Sequence, residues 1–142
     1  MGLSTLALPN REPAGIFRVS PQGLRFFEEP MSTQLLLVST NTNSQANAKK
    51  LARLAVEGHF APSANIQAID TVYTWKGQIH ENAEWRVTFK TTSFCRADLF
   101  DLIRKTHGYE VPAFEVLHLD GASQAYQEWV LENCRGNGFV EG

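Results

Sequence analysis

His107, Tyr109 and Glu110 stand close together in the chain, and each carries a group able to hold or polarise a ligand. Imidazole and carboxylate are donors that copper and zinc accept readily, so His107 and Glu110 form a partial metal site with Tyr109 beside it. A structural reading competes with this one. A histidine at the end of a helix is favoured by the negative pole of that helix, and Glu110 is then a solvated turn residue. Two ligands make a poor site unless other subunits add more. A second set lies upstream: Tyr73, Trp75 and Trp85 could line a pocket between subunits, with Glu84 nearby and Lys90 supplying positive charge for an anion such as phosphate or a carboxylate. Aromatics at such places serve more often as packing anchors. Lys90 also has a plainer partner in Glu84, from the same or a neighbouring strand.

The remaining chemistry-bearing residues point to structure. His59, His80 and His118 lie too far apart to show ligand spacing. Cys95 falls on an apolar stripe and reads as a small core residue, while Cys134 sits near a fraying end. Asp98 and Asp101, like Glu81 and Glu84, look like solvated faces rather than paired catalytic carboxylates. There is no glycine-rich phosphate loop, no nucleophile elbow and no His-Glu-x-x-His, so the sequence supports no enzyme.

The elements that must position these groups belong to a chain of 142 residues and 15.9 kDa, enough for one compact domain and a tail. Hydrophobic residues make up 43% and charged residues 20%, which excludes disorder over the whole length. A formal charge of -2 and a pI near 6.1 provide no global field for nucleic acid or anionic membrane. Apolar runs such as Leu35 to Val38 are far short of the ~20 residues of a membrane helix. Leu6 to Leu8 runs into Pro9, which spoils a secretory signal. Two cysteines are too few for a disulfide framework, and they read as free thiols in a reducing cytoplasm.

Residues 1–32 hold Pro9, Pro13, Pro21 and Pro30 and no sustained periodicity. They form either an extension, with Met31 a candidate natural start, or an arm that docks through Ile16–Val19 and Leu24–Phe27. The domain spans 33–134, followed by a flexible tail, 135–142. Leu35 to Thr40 reads as a buried strand. Asn43 or Ser44 caps a helix with Ala48, Leu51, Ala52 and Ala55 on one stripe, and Gly58 ends it. Lys76-Gly77 separates two long strands as a hairpin turn. On the second, Trp85, Val87 and Phe89 share one face while Glu84, Arg86, Thr88 and Lys90 share the other. Thr91-Thr92-Ser93 offers caps for a helix with Cys95, Leu99, Leu102 and Ile103 on its stripe. Ala113 to Leu119 is the next strand, and a last helix carries Tyr126, Trp129, Val130 and Asn133 along one face. This βαββαβ order predicts an α+β, ferredoxin-like antiparallel sheet with helices on one face and an added C-terminal helix. Its uncovered face and long aromatic hairpin predict self-association.

Thr71 to Ile79, then Glu84, Lys90-Thr91 and His107 to Pro112, in this order and spacing, resemble the CutA divalent-cation-tolerance family. The likeness runs from about Gln34 to Glu132 and includes Ala64-Asn65-Ile66 and Tyr126 to Trp129. The resemblance implies a ferredoxin-like subunit in a tight homotrimer, similar to PII signalling proteins, with a role in tolerance to copper and other divalent metals. It implies a non-enzymatic protein that binds copper or zinc through His107 and Glu110, beside a ligand site of Tyr73, Trp75, Glu84, Lys90 and Tyr109. The chain departs from the family's pattern at Thr40 and Ser63, where bacterial members often carry cysteines, and at Gly108 and Ala113. Loss of soft thiolates and of a carboxylate supports a second reading, a PII-like trimeric sensor or scaffold that binds a small anionic metabolite or a partner protein without metal.

Overall fold

A computed structural model describes residues 33–135 together with the backbone of two earlier strands, β1 (Ile16–Val19) and β2 (Arg25–Glu28). These two pair antiparallel, with Phe17 opposite Phe27. Met31, the rest of the N-terminal extension and tail residues 136–142 lie outside the described residues.

Within the domain the elements run β3 (Leu35–Thr42), α1 (Gln45–Glu57), β4 (Ser63–Trp75), β5 (Gln78–Thr92), α2 (Arg96–Thr106), β6 (Glu115–His118) and α3 (Gln124–Asn133). The four strands form one antiparallel sheet in the order β4-β5-β3-β6. This is the split arrangement that the element order predicts, with α3 appended. Strand β3 runs two residues past Thr40, because Thr42 still finds Trp85 across the ladder. Strand β6 is shorter than expected: as an edge strand it pairs with only Leu36 to Ser39 of β3.

Alternation along the strands selects the core face. Val38 on β3 and Val87 and Phe89 on β5 pack with Ala48, Leu51, Ala52 and Ala55 of α1 and with Leu99 and Ile103 of α2. Full burial of a side chain such as Phe89 is worth roughly 1.5–3 kcal/mol. Trp85, on the same face, is half-buried and packs at the margin of this core.

Of the two candidate caps of α1, Ser44 is the N-cap, and Asn43 bonds only to a side chain. The Ser44 hydroxyl accepts the Asn47 N–H at 3.1 Å, and the Asn43 side chain accepts from the Asn47 amide at 2.7 Å. Gly58 ends the helix in a right-handed conformation, and the left-handed step falls on His59, at φ 62°. Gly58 is needed for space: a Cβ there would lie 2.8 Å from the Phe60 ring. Lys76 and Gly77 have φ of 51° and 78°, the double left-handed turn that matches the twist of a two-residue hairpin. Helix α2 departs from expectation at its start. The strand continues through Thr92, and the Thr92 hydroxyl accepts the Cys95 N–H at 3.3 Å, while the N-cap residue Cys95 makes no side-chain cap.

Candidate functional site

His107 occupies the C-cap of α2, its N–H donating to the Ile103 carbonyl at 2.8 Å. The backbone then turns extended, so the imidazole leaves the helix and reaches β3. Nε2 lies 2.6 Å from the Asn41 carbonyl oxygen, and Nδ1 accepts the Tyr109 N–H at 3.1 Å. A carbonyl oxygen can only accept, so these two bonds assign the proton to Nε2 and fix a neutral ring. Burial holds the imidazole below its usual pKa, and the Asn41 carbonyl and the Glu84 charge oppose that shift.

Tyr109 lies beside this ring, with centroids 5.0 Å apart, and its hydroxyl donates to Glu84 Oε2 at 2.7 Å. Glu84 is only 6% exposed, although strand alternation places it with polar neighbours. Burial, and then the Glu84 carboxylate, push the Tyr109 phenol well above its usual pKa, with Tyr73 adding to the effect. Tyr73 stacks on His80 at 5.4 Å, and its oxygen accepts from the Asn82 amide at 2.6 Å. Tyr73, Glu84, Tyr109 and His107 therefore belong to one neighbourhood.

Trp75 and Lys90 do not join it. Trp75 closes the hairpin opposite Gln78, with the Lys76 ammonium 5.6 Å from its ring centroid. Lys90 pairs with Leu37 and Ser63 at the other end of β5. The expected Lys90–Glu84 ion pair is absent within the subunit: six strand residues separate the two by about 20 Å, and Glu84 takes Tyr109 instead. Asp101 pairs with Arg104 and Lys105 on the exposed side of α2. Burial lowers the Lys90 pKa.

Glu110 is exposed. Both ring nitrogens of His107 are already engaged, so no lone pair is left for a metal in this conformation. Among the described residues no group of three or more His, Cys, Asp or Glu side chains is placed to hold an ion. A resident copper or zinc does not fit the donor set of the described residues. His107 also borders a small open cleft lined by Thr42, Asn43, Asn47, Lys50 and Thr106, among others.

Three further polar atoms escape a reading of spacing. Thr40 Oγ1, Asn41 Oδ1 and Arg86 Nε are buried without a hydrogen-bond partner, and Asn41 and Arg86 face each other across the β3–β5 ladder. Alternation along β5 groups Arg86 with Thr88 and Lys90, the one sequence signal that could have flagged it.

Comparison with known proteins adds an independent line. A profile of the family described as CutA1 divalent ion tolerance protein matches residues 36–133. The divalent-cation tolerance protein CutA of Thermotoga maritima is 30% identical over 99 residues, covering 70% of this chain and 98% of that protein. The chloroplastic protein CutA of Arabidopsis thaliana is 27% identical over 113 residues, 79% of this chain and 62% of that one. In structure, CutA from Synechococcus elongatus superposes with a TM-score of 0.69 at 30% identity, covering 73% of this chain and 96% of that chain. No described helix is long and apolar enough to cross a membrane.

Proposed function

The chain belongs to the CutA1 divalent ion tolerance protein family, whose members are non-enzymatic, and is a divalent-cation tolerance protein; from that premise we propose that it acts as a homotrimer without a resident metal centre in the single subunit. The observation that carries this reading is His107, whose two nitrogens are spent on Asn41 and Tyr109. Copper or zinc bound through His107 and Glu110 requires the ring to release one of these bonds and neighbouring subunits to supply further donors. Assembly is supported by the hairpin, where Val72 and Ile79 are 64% and 79% exposed, and by the edge residue Leu117 at 65%. Apolar side chains of that exposure on a sheet favour a partner surface. The paired aromatic and acidic groups Tyr73, Glu84 and Tyr109 then line a cleft, with Trp75 and Lys90 brought to it from neighbouring subunits. We place the protein in a reducing compartment such as the cytoplasm, a reading supported by two unpaired thiols.

A second reading, a PII-like sensor or scaffold for a small anion or a partner protein without metal binding, is favoured by Arg86 and Lys90. They share the face of β5 opposite Val87 and Phe89, Arg86 Nε has no partner, and no ion pair of Lys90 is present among the described residues.

Titration with copper and zinc beside light scattering tests both. The proposal expects three times the subunit mass and no stoichiometric metal uptake at micromolar concentration. Micromolar binding at one equivalent per subunit, weakened by His107→Ala, would overturn the metal-free reading. A trimer stabilised by phosphorylated metabolites in a thermal-shift screen would favour the sensor, since ligand at 100 times its Kd adds about 2.7 kcal/mol.

A further inference from the structure

The two cysteines lie at opposite ends of two helices and meet in one buried pocket. Cys95 is the N-cap of α2 and Cys134 the C-cap of α3, and the exposure of the two is 0% and 6%. Thr92 joins them: its hydroxyl accepts the Cys95 N–H at 3.3 Å and donates to the Cys134 sulfur at 3.3 Å. Thr91 Oγ1 lies 3.4 Å from the same sulfur. The neighbouring Cys95 thiol, with Thr91 and Thr92, pulls the Cys134 pKa below the usual thiol range against its burial, while the same pairing and burial push the Cys95 thiol up. A more acidic thiol set beside a less acidic one has both members of a thiol oxidation sequence, the nucleophile once its proton is lost and the group that resolves it.

The surroundings tolerate loss of both protons. Cys95 donates to the His59 carbonyl at 3.7 Å and Cys134 to the Phe60 carbonyl at 3.4 Å. Each carbonyl keeps another donor, the Arg135 N–H at 2.8 Å for His59 and the Thr91 hydroxyl at 2.6 Å for Phe60. Oxidation therefore strands no buried acceptor. Cys134 also closes a terminal helix, where local opening admits a small reagent.

We propose that Cys95 and Cys134 are a peroxide-responsive pair that closes reversibly into an intramolecular disulfide, tying the start of α2 to the end of α3. Cys134 gives up its proton, the resulting thiolate attacks one peroxide oxygen and the O–O bond breaks. The leaving hydroxide takes a proton to become water, and Cys134 is left as a sulfenic acid. The Cys95 sulfur then attacks the Cys134 sulfur, the S–S bond forms, and the S–O bond breaks with release of a second water that carries the Cys95 proton. The peroxide is reduced and the two thiols are oxidised.

The full chain is treated with hydrogen peroxide, then denatured, alkylated and mapped by mass spectrometry. The expected result is loss of both alkylatable thiols, a Cys95–Cys134 cross-linked peptide within one chain, and recovery of both thiols with dithiothreitol. In Cys95→Ala the expected product is a sulfenic acid on Cys134, trapped by dimedone. Three wild-type results would overturn the proposal: both thiols alkylated in full while free glutathione in the same tube is consumed, Cys134 oxidised to a sulfinic acid with Cys95 alkylated, or cross-links between chains alone. The wild-type map decides the matter even if the variant fails to fold.

Discussion

The Tyr109 hydroxyl closes over the carboxylate of Glu84 at 2.7 Å, joining the loop after α2 to the middle of β5. This contact satisfies a buried acid and fixes the stretch that carries His107.

Tyr109→Phe removes the donor and leaves the Glu84 carboxylate buried with one partner fewer. A loss of about 1–3 kcal/mol is expected, read as a lower midpoint in urea denaturation. Glu84→Gln keeps an acceptor for the hydroxyl and should cost less. Equal losses for the two variants would show that the hydrogen bond is not what holds the loop.

Acid should weaken the fold through His107. Its folded pKa lies below the unfolded value near 6.5, so the unfolded chain binds the extra proton first. The stability that the neutral ring contributes is complete above the unfolded pKa, falls as pH drops below it, and levels off beneath the folded pKa. Denaturation midpoints measured from about pH 7.5 to 5 should decline in this window, and His107→Asn should flatten the decline. A variant with an unchanged profile would assign the pH dependence to another group.

Gly58→Ala places a methyl group 2.8 Å from the Phe60 ring and 3.2 Å from the Leu54 carbonyl. The ring is largely buried, so it cannot swing away freely, and overpacking of about 1–3 kcal/mol is expected. Adding Phe60→Leu should recover part of the loss attributable to Gly58→Ala in a double-mutant cycle.

Ser44→Ala takes the acceptor from the Asn47 N–H at the start of α1. About 1 kcal/mol is the expected cost, and Ser44→Asp should restore it. Thermal unfolding of the three chains under one buffer gives the comparison.

The parts of the fold legible in the sequence are those set by local chemistry. The α1 stripe, its Ser44 cap, the Lys76-Gly77 turn and the Val87/Phe89 face follow from periodicity and turn preference, and each appears in the structure. The site was legible in its membership more than in its wiring. Tyr73, Glu84, Tyr109 and His107 do come together, yet the Asn41 carbonyl that takes the His107 ring is 66 positions away and carries no side-chain signal. Glu84 misled the reading in the opposite sense. Alternation assigns it to a wet face paired with Lys90, and neither strand spacing nor residue type reveals that a tyrosine from the loop beyond α2 will cover it. Such contacts arise from how α2 packs across the sheet, which no window along the chain contains.

The unequal lengths of the strands have a consequence for motion. From Trp85 to Lys90 β5 lies between β4 and β3, whereas Gln78 to Glu84 are bonded to β4 alone. A two-stranded ribbon of this kind has little stability of its own in water. In an isolated subunit, the amide hydrogens of this outer stretch should exchange with deuterated solvent well before those of Val87 and Phe89. Slow exchange along the ribbon would therefore report that something outside the subunit holds it, without any need to see the partner.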